Sequence, residues 1–507
     1  MSISIGRRRV LVAGAGVPLL AVPSAGKTQL VRNERSFEHL LRPTVHTGRE
    51  RWLLADRMAH YGVPGLAVAV LRAGQVESIA GHGVRVAGRH LPVGPDTLFS
   101  VGSVSKVATA ALCLRLVSLG RLELDRDVGT WLRRWRMPQG PDGDRAAITL
   151  RMLLSHTAGL NLHGFKDFAP SAPLPTLIQT LKGVPPAPNR PLARVDRAAT
   201  RSRYSGGGYL VVQAVIEDAM GKPFGALARR HLFDPLGMRR SRFDAAPPPD
   251  TSDIAHAHDG TGRPTALPRG WESFPELAPS GLWTTAGDLA RLVTALGDSY
   301  RGATGAYLPV ALAVDMMTPV SPGIYGLGPR LAGTGDAEIF HHGGANDSYK
   351  AYIEGNLASG DGLVILTNGA NGELLGDEIR NAVSDAMGWP GDWSVKERSV
   401  ALPLQLNVYT GRYRRREGQS AEITGTFGST FGDEQIEVGR TEAGFELMTR
   451  GRARRLVPLS SSCFVVLDSY VPADTLKLTF KRSALNRVGA VIVSGGGGIL
   501  VFDRIPS

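Results

Sequence analysis

The residues with the clearest chemical potential sit in one octapeptide, Phe99-Ser-Val-Gly-Ser-Val-Ser-Lys106. It leads into a run that is apolar on almost every side: Val107, Ala110, Ala111, Leu112, Leu114, Leu116 and Val117. A helix apolar all round is a buried helix. Ser103 and Lys106 stand three residues apart in its first turn, and so share a face. Burial disfavours the ammonium form and lowers a lysine pKa, so Lys106 is expected to act as a neutral base beside a hydroxyl that needs deprotonating. The helix N-terminus adds free backbone N–H groups where an oxyanion would form. A serine three before a lysine is common by chance, and the string alone would read as an N-cap and a surface lysine. The Phe-Ser-Val-Gly lead-in and the buried helix turn the reading towards a nucleophile. Rival uses of the polar residues are weaker. His256 and His258 alternate and His341 and His342 adjoin, but no helical H-x-x-x-H or carboxylate partner accompanies them, so a metal site is set aside and no cofactor is required. A G-x-S-x-G elbow is absent.

Several elements must hold that pair in place. Residues 65–71, Gly-Leu-Ala-Val-Ala-Val-Leu, read as a buried strand that turns at Ala73-Gly74 into a second strand over 76–80. A comparable hairpin lies far downstream, over 348–354 and 362–367. The segment between is mainly helical, with helix stops at Gly120, Gly221 and Gly237. Strands from both ends around a helical middle predict an α+β domain whose sheet closes late. After Trp393 the pattern changes to short strands and turn glycines, Gly425, Gly428, Gly432 and the run 495–498, which predicts an all-β barrel or sandwich. The boundaries expected are a catalytic domain over 45–390, a linker over 391–402 and a C-terminal barrel-like domain over 403–507.

At 507 residues the chain is longer than one hydrophobic core usually supports. With 43% hydrophobic and 21% charged residues and no bilayer-length apolar run in its body, stable membrane insertion is not expected. The formal charge of +12 is scattered, with local clusters at Arg412, Arg414, Arg415, Arg416 and at Arg450, Arg452, Arg454, Arg455. No basic stripe interleaved with aromatic residues points to nucleic acid; a solvated basic surface, attracted to anionic cell-wall polymers, is the simpler account. Two cysteines, Cys113 and Cys463, exclude a disulfide framework, and Cys113 in its apolar run reads as a small buried hydrophobe. Arg7, Arg8 and Arg9 precede an apolar stretch over 10–22 and then Ser24 and Ala25, which predicts an export signal over 1–25 and a periplasmic or extracellular protein. The arginines loosely suggest the twin-arginine route, with Gly6 and Val10 departing from it. In the same segment, residues 21–28 imitate a phosphate loop and Gly14-Ala15-Gly16 a dinucleotide fingerprint, and both are rejected: Pro23 would disturb the first, and the second lacks its third glycine.

The string Ser100-Val-Gly-Ser-Val-Ser-Lys106 closely resembles the nucleophile motif of class C β-lactamases and their relatives among esterases and D-aminopeptidases. Leu153-Leu-Ser-His-Thr-Ala-Gly-Leu160, Leu232-Phe-Asp-Pro-Leu-Gly-Met238 and Pro279-Ser-Gly-Leu-Trp-Thr-Thr-Ala-Gly-Asp-Leu289 are similar to further family segments in the family's order. These three are taken as turn and packing elements without catalytic residues. The resemblance spans roughly 50–389. Within it, Tyr204-Ser205-Gly206 resembles the family's Y-x-N element and departs from it at Gly206. A buried phenol near a lysine can exist partly as phenolate and shuttle a proton. His342-Gly343-Gly344 resembles the K-T-G element in an H-x-G form, placed just before the strand over 348–354. There the glycines would let a substrate approach the strand edge, and the Ala345 N–H would join that of Ser103 as an oxyanion donor. His342 would supply polarity or a titratable charge in place of a fixed ammonium; adjacent His341 looks incidental. Beyond 404, spacing such as Tyr409-Thr-Gly-Arg-Tyr413 resembles the lipocalin-like modules of some D-aminopeptidase relatives.

The expectation is therefore an α+β, β-lactamase/penicillin-binding-protein-like domain followed by an all-β, lipocalin-like one. The chain would transfer an acyl group to water with Ser103, Lys106 and Tyr204 as catalytic residues and His342, Gly344 and Ala345 binding a small-molecule or peptide substrate. Gly206 and His342 favour an ester or a D-residue peptide over efficient β-lactam hydrolysis. A true β-lactamase or D,D-peptidase is the alternative, and a non-catalytic ligand- or cell-wall-binding protein the rival of another class.

Overall fold

The computed structural model describes residues 36–46, 49–166, 168, 173–245, 247, 251–267, 270–390, 397–403, 405–419, 434–441, 444–449, 452–467, 476–482, 487–495 and 498–506. The expected export signal, the two rejected phosphate-binding look-alikes and the first half of the linker lie outside them.

The run over 65–71 is apolar at every position because both of its faces are covered. It forms β1 (Gly65–Arg72), hairpinned to β2 (Gln75–Gly83). Leu66, Val68 and Val70 point into one cluster with Leu363, Ile365, Leu375 and Ile379, while Ala67, Ala69 and Leu71 point into the larger core on the other face. The downstream strands are β3 (Arg330–Ala332), β4 (Ile339–Ala345), β5 (Lys350–Asn356) and β6 (Gly362–Thr367). The six-stranded sheet runs β2-β1-β6-β5-β4-β3, with every pair antiparallel. β6 pairs with β1 across nearly three hundred residues, Thr367 opposite Leu66, so the sheet does close late.

Between the two hairpins lie the long helices α1 (Ser105–Ser118), α2 (Gly206–Met220) and α3 (Ala286–Arg301), and α4 (Gly372–Met387) follows β6. Gly221 caps α2 in the left-handed conformation and Gly237 ends a shorter helix in the same way. In α1 the residues from Ser105 to Leu114 are all buried, Lys106 among them. α4 covers the opposite face of the sheet with Leu375, Ile379, Ala382 and Val383.

The C-terminal strands β7 (Gly411–Arg415), β8 (Gln435–Thr441), β9 (Gly444–Thr449), β10 (Arg452–Pro458), β11 (Cys463–Leu467), β12 (Lys477–Arg482), β13 (Val488–Gly495) and β14 (Gly498–Arg504) form a closed barrel in sequence order. Tyr413 of β7 faces Ile436 on one side and Arg504 on the other, which completes the ring. Its interior is packed with Tyr409, Tyr413, Phe445, Phe464, Phe480 and Phe502, and the Tyr413 hydroxyl donates to the Tyr409 carbonyl at 2.6 Å.

One contact joins the sheet to the start of α1. A Cβ added to Gly344 would lie 2.0 Å from the Val101 carbonyl oxygen and 3.0 Å from the Val104 nitrogen. At neighbouring Gly343 a Cβ would meet nothing within 4 Å. Gly344→Ala is therefore expected to lower stability by about 1–3 kcal/mol through overpacking, and Gly343→Ala to change it by no more than about 0.5 kcal/mol. Denaturant unfolding of both variants checks the contrast, and equal losses would show that strand propensity rather than the close approach governs this edge.

Candidate active site

Ser103 lies in a single 3-10 turn, Gly102–Val104, that runs directly into α1. The turn is fixed from behind. Phe99–Ser100 pairs antiparallel with Leu282–Thr284, the Val101 N–H donates to the Leu282 carbonyl at 3.2 Å, and the Leu282 N–H donates to Ser105 Oγ at 3.0 Å. Gly102 has φ 47°, in the left-handed region, and a Cβ there would come 2.9 Å from the Ala345 nitrogen. A side chain at 102 would thus separate the Ser103 turn from the end of β4.

Lys106 is 1% exposed, and its Nζ lies 3.0 Å from Ser103 Oγ and 3.0 Å from the Pro279 carbonyl oxygen. Burial alone pulls its pKa down to about 7, so the amine is largely uncharged just above neutrality. Tyr204, placed by the residues that enter α2, hydrogen-bonds Ser103, and its ring centroid is 4.9 Å from Lys106 Nζ. The phenolate expected there is corrected. Burial raises the phenol to about 12, against the smaller opposing effects of the Ser103 hydrogen bond and Arg330, so Tyr204 is a neutral phenol.

His342 is inside a strand rather than ahead of one: it belongs to β4, opposite Ile353 of β5, and β5 begins at Lys350. Its ring centroid is 6.2 Å from that of Tyr204, and its Nδ1 lies 2.6 Å from the Gly343 carbonyl. Burial first, then Lys106 and Arg330, drive its pKa down to about 3. Of the two roles expected for it, only neutral polarity is left. The β4–β5 turn is anchored to the core. Asn346 Nδ2 donates to Ser100 Oγ at 2.6 Å, and Tyr349, edge-on to Trp283, donates its hydroxyl to the Ala255 carbonyl at 2.7 Å.

Ser103, Lys106, Tyr204, His342, Gly344 and Ala345 all line one cavity of about 730 Å³. The structure therefore brings together all six residues named from the sequence. Gly206 lines it too, and the space that a side chain would need there is occupied: a Cβ would lie 2.9 Å from the Phe165 ring. The cavity also reaches residues that the sequence reading did not select. Arg330 and His163 border it near Tyr204, and His341, Tyr352, Glu373, Asp377 and Arg380 border it towards α4. His341, read as incidental, is buried and held well below its ordinary pKa, chiefly by desolvation. Burial raises both Glu373 and Asp377, Asp377 to about 7. Pro279 belongs to a segment that the sequence reading did single out, but its part in the site is played by a backbone carbonyl, which no residue type announces.

The remaining candidates are used elsewhere. His258 accepts the Ala87 N–H at 3.0 Å through Nε2, with Nδ1 3.0 Å from the Asn368 carbonyl, and His256 packs edge-on against Trp271. Burial pushes the Cys113 thiol up to about 12, which keeps it an inert hydrophobe. No helix among the described residues is long and apolar enough to cross a membrane.

Comparison with known proteins agrees with this arrangement. The chain is 31% identical over 281 residues to esterase EstB of Burkholderia gladioli, covering 49% of this chain and 68% of that protein. It is 29% identical over 409 residues to penicillin-binding protein 4 of Amycolatopsis lactamdurans, covering 74% and 99%. Among solved structures, the octameric penicillin-binding protein homologue from Pyrococcus abyssi shares the fold with a TM-score of 0.57 at 21% identity, over 88% of this chain and 98% of that one. The beta-lactamase family model matches residues 51–387, the whole of the sheet-and-helix domain that carries Ser103 and Lys106. That match makes the chain a member of the beta-lactamase family and a serine hydrolase.

Proposed function

We propose that the chain hydrolyses esters, or amides and peptides of D-residues, through an acyl-enzyme on Ser103. The observation that carries this reading is the buried Lys106 amine 3.0 Å from Ser103 Oγ, with a pKa brought down to about 7. The neutral amine takes the Ser103 proton as Oγ bonds to the substrate carbonyl carbon. Negative charge then develops on the carbonyl oxygen, and the N–H groups of Ser103 and Ala345 donate to it. Tyr204, a phenol, passes a proton from the Lys106 side to the leaving alcohol or amine as the carbon–leaving-group bond breaks. Water repeats the sequence on the acyl-enzyme, releasing the acid and restoring Ser103.

Two departures support esters and D-residue substrates over β-lactams. Phe165 fills the place where an amide at 206 would reach the substrate, and 342 carries a neutral imidazole. The names of the relatives, an esterase and a penicillin-binding protein, bracket the same choice. The barrel matches a lipocalin-like module in strand number, and its aromatic filling suits a supporting role; Arg412 and Arg414, exposed on β7, suit contact with an anionic cell-wall polymer. The arginine-led apolar segment over 10–22 supports export.

A short-chain p-nitrophenyl ester and a chromogenic cephalosporin, assayed side by side, test the reading. Ser103→Ala is expected to abolish ester turnover while leaving the unfolding transition unchanged, and near wild-type turnover in that variant would reject the acyl-enzyme. Cephalosporin hydrolysis as fast as ester hydrolysis would move the assignment to a true β-lactamase. Because the base must be uncharged, kcat/KM is expected to rise with pH and level off, with its midpoint near 7; a rate independent of pH from 5 to 9 would remove Lys106 from that role. Sequencing the N-terminus of the protein recovered from culture checks export: a mature protein beginning near residue 26 is expected, and Met1 retained in the cytosol would reject it.

A further inference from the structure

His156 lies in the segment that the sequence reading treated as packing, just after Ser155, the C-cap of the short helix Leu150–Leu154. Its φ of 63° puts a non-glycine residue in the left-handed region, a conformation L-residues seldom adopt. The consequence is a bridge across Tyr204. The His156 carbonyl accepts the Arg203 N–H at 2.8 Å, and its Nδ1 accepts the Ser205 N–H at 3.1 Å. Its ring packs on the Tyr204 ring with centroids 4.4 Å apart, tilted by 38°. The backbone on both sides of Tyr204 and one surface of its ring are therefore held by a single residue.

The same geometry sets the protonation state. A backbone N–H aimed at Nδ1 requires the lone pair there, so the proton sits on Nε2. The ring is 2% exposed, and Nε2 meets no hydrogen-bond partner among the described residues. Every neighbouring element opposes a second proton. Lys106 faces the ring from α1, His342 from β4, Arg330 from the start of β3 and His163 from a loop, while Tyr204 and Tyr209 offer neutral phenols and Tyr325 meets the ring edge-on.

We infer that His156 is a positioning residue for Tyr204: as the neutral Nε2–H tautomer it fixes where the phenol meets Ser103. The inference rests on the acyl-enzyme reading above. Displacing a proton-transfer group by a fraction of an ångström slows the step without weakening substrate binding, so the effect falls on kcat.

A double-mutant cycle on ester hydrolysis tests it. His156→Leu, which removes acceptor and ring, is expected to lower kcat by about 10- to 100-fold with KM changed less than about threefold. His156→Asn keeps an acceptor near the Nδ1 position and tolerates the left-handed backbone, and is expected to recover part of that loss; it also serves if the leucine variant does not fold. In a Tyr204→Phe background either substitution should cost less than about threefold, because the group it positions is gone. The acid limb of the pH profile should not move. The same fold-loss with and without the Tyr204 hydroxyl, or a loss confined to KM, overturns the inference and leaves the acyl-enzyme intact provided Ser103→Ala is inactive. Turnover surviving Ser103→Ala rejects both.

Discussion

An amine buried beside a hydroxyl is the constraint around which the catalytic domain is arranged. Lys106 enters an environment where an ammonium would lose its hydration without gaining a carboxylate, and desolvation lowers its proton affinity accordingly. The Pro279 carbonyl steadies the nitrogen without supplying a charge. The three imidazoles nearest the site, His156, His163 and His342, are all driven towards the neutral form by burial, with Lys106 adding to the effect in each case. A neutral amine surrounded by neutral rings is self-consistent. Protonating any one of them would tax the others.

Keeping that amine dry and still within reach of substrate requires the strand edge and the nucleophile turn to touch. Gly344 and Gly102 are where they touch, each with no room for a Cβ. The sheet supplies the rigidity: β4 is held by β3 and β5, and the turn beyond it is tied to Ser100 and packed edge-on against Trp283. The contact lies between backbones and is therefore insensitive to side-chain rotamers. It places the Ala345 amide beside the Ser103 turn before any substrate arrives, which is what preorganised stabilisation of an oxyanion requires.

What the sequence made legible followed from local pattern. The all-apolar helix after Lys106 could only be buried, and the unbroken apolar run over 65–71 could only be a strand covered on both faces; the two hairpins then had to meet in one sheet. What it hid depended on long-range packing. The Tyr204 phenolate was expected from nearness to a lysine, but burial lowers the charge on that lysine and raises the phenol by more than the Ser103 hydrogen bond and Arg330 lower it. His156 and Pro279 act through a backbone carbonyl, a ring lone pair and a φ angle, none of which leaves a trace in residue type. Phe165 and the α4 carboxyls reach the cavity only because of how a loop and a distant helix fold over it. The closed barrel was legible as all-β, while its closure was not, since the ring is completed by a pairing between strands far apart in the chain, Tyr413 opposite Arg504.

On the proposed reading, the two departures from the family pattern belong together. An ammonium at 342 would stand near Lys106 and the rings of Tyr204 and His156 in a pocket that leaves that position 3% exposed. Without a counterion it would depress Lys106 further and raise the cost of burying both. The imidazole avoids this, and Lys106 is tuned by desolvation alone. The cavity still contains cations: Arg330, whose guanidinium packs 5.3 Å above the Tyr325 ring, and Lys350 and Arg380. A substrate carboxylate would have to find its partner there, away from position 342, whereas an ester or amide without a carboxylate needs no such partner. On this reading the balance of charge in the pocket, more than the presence of the nucleophile, selects among the substrate classes that share the fold.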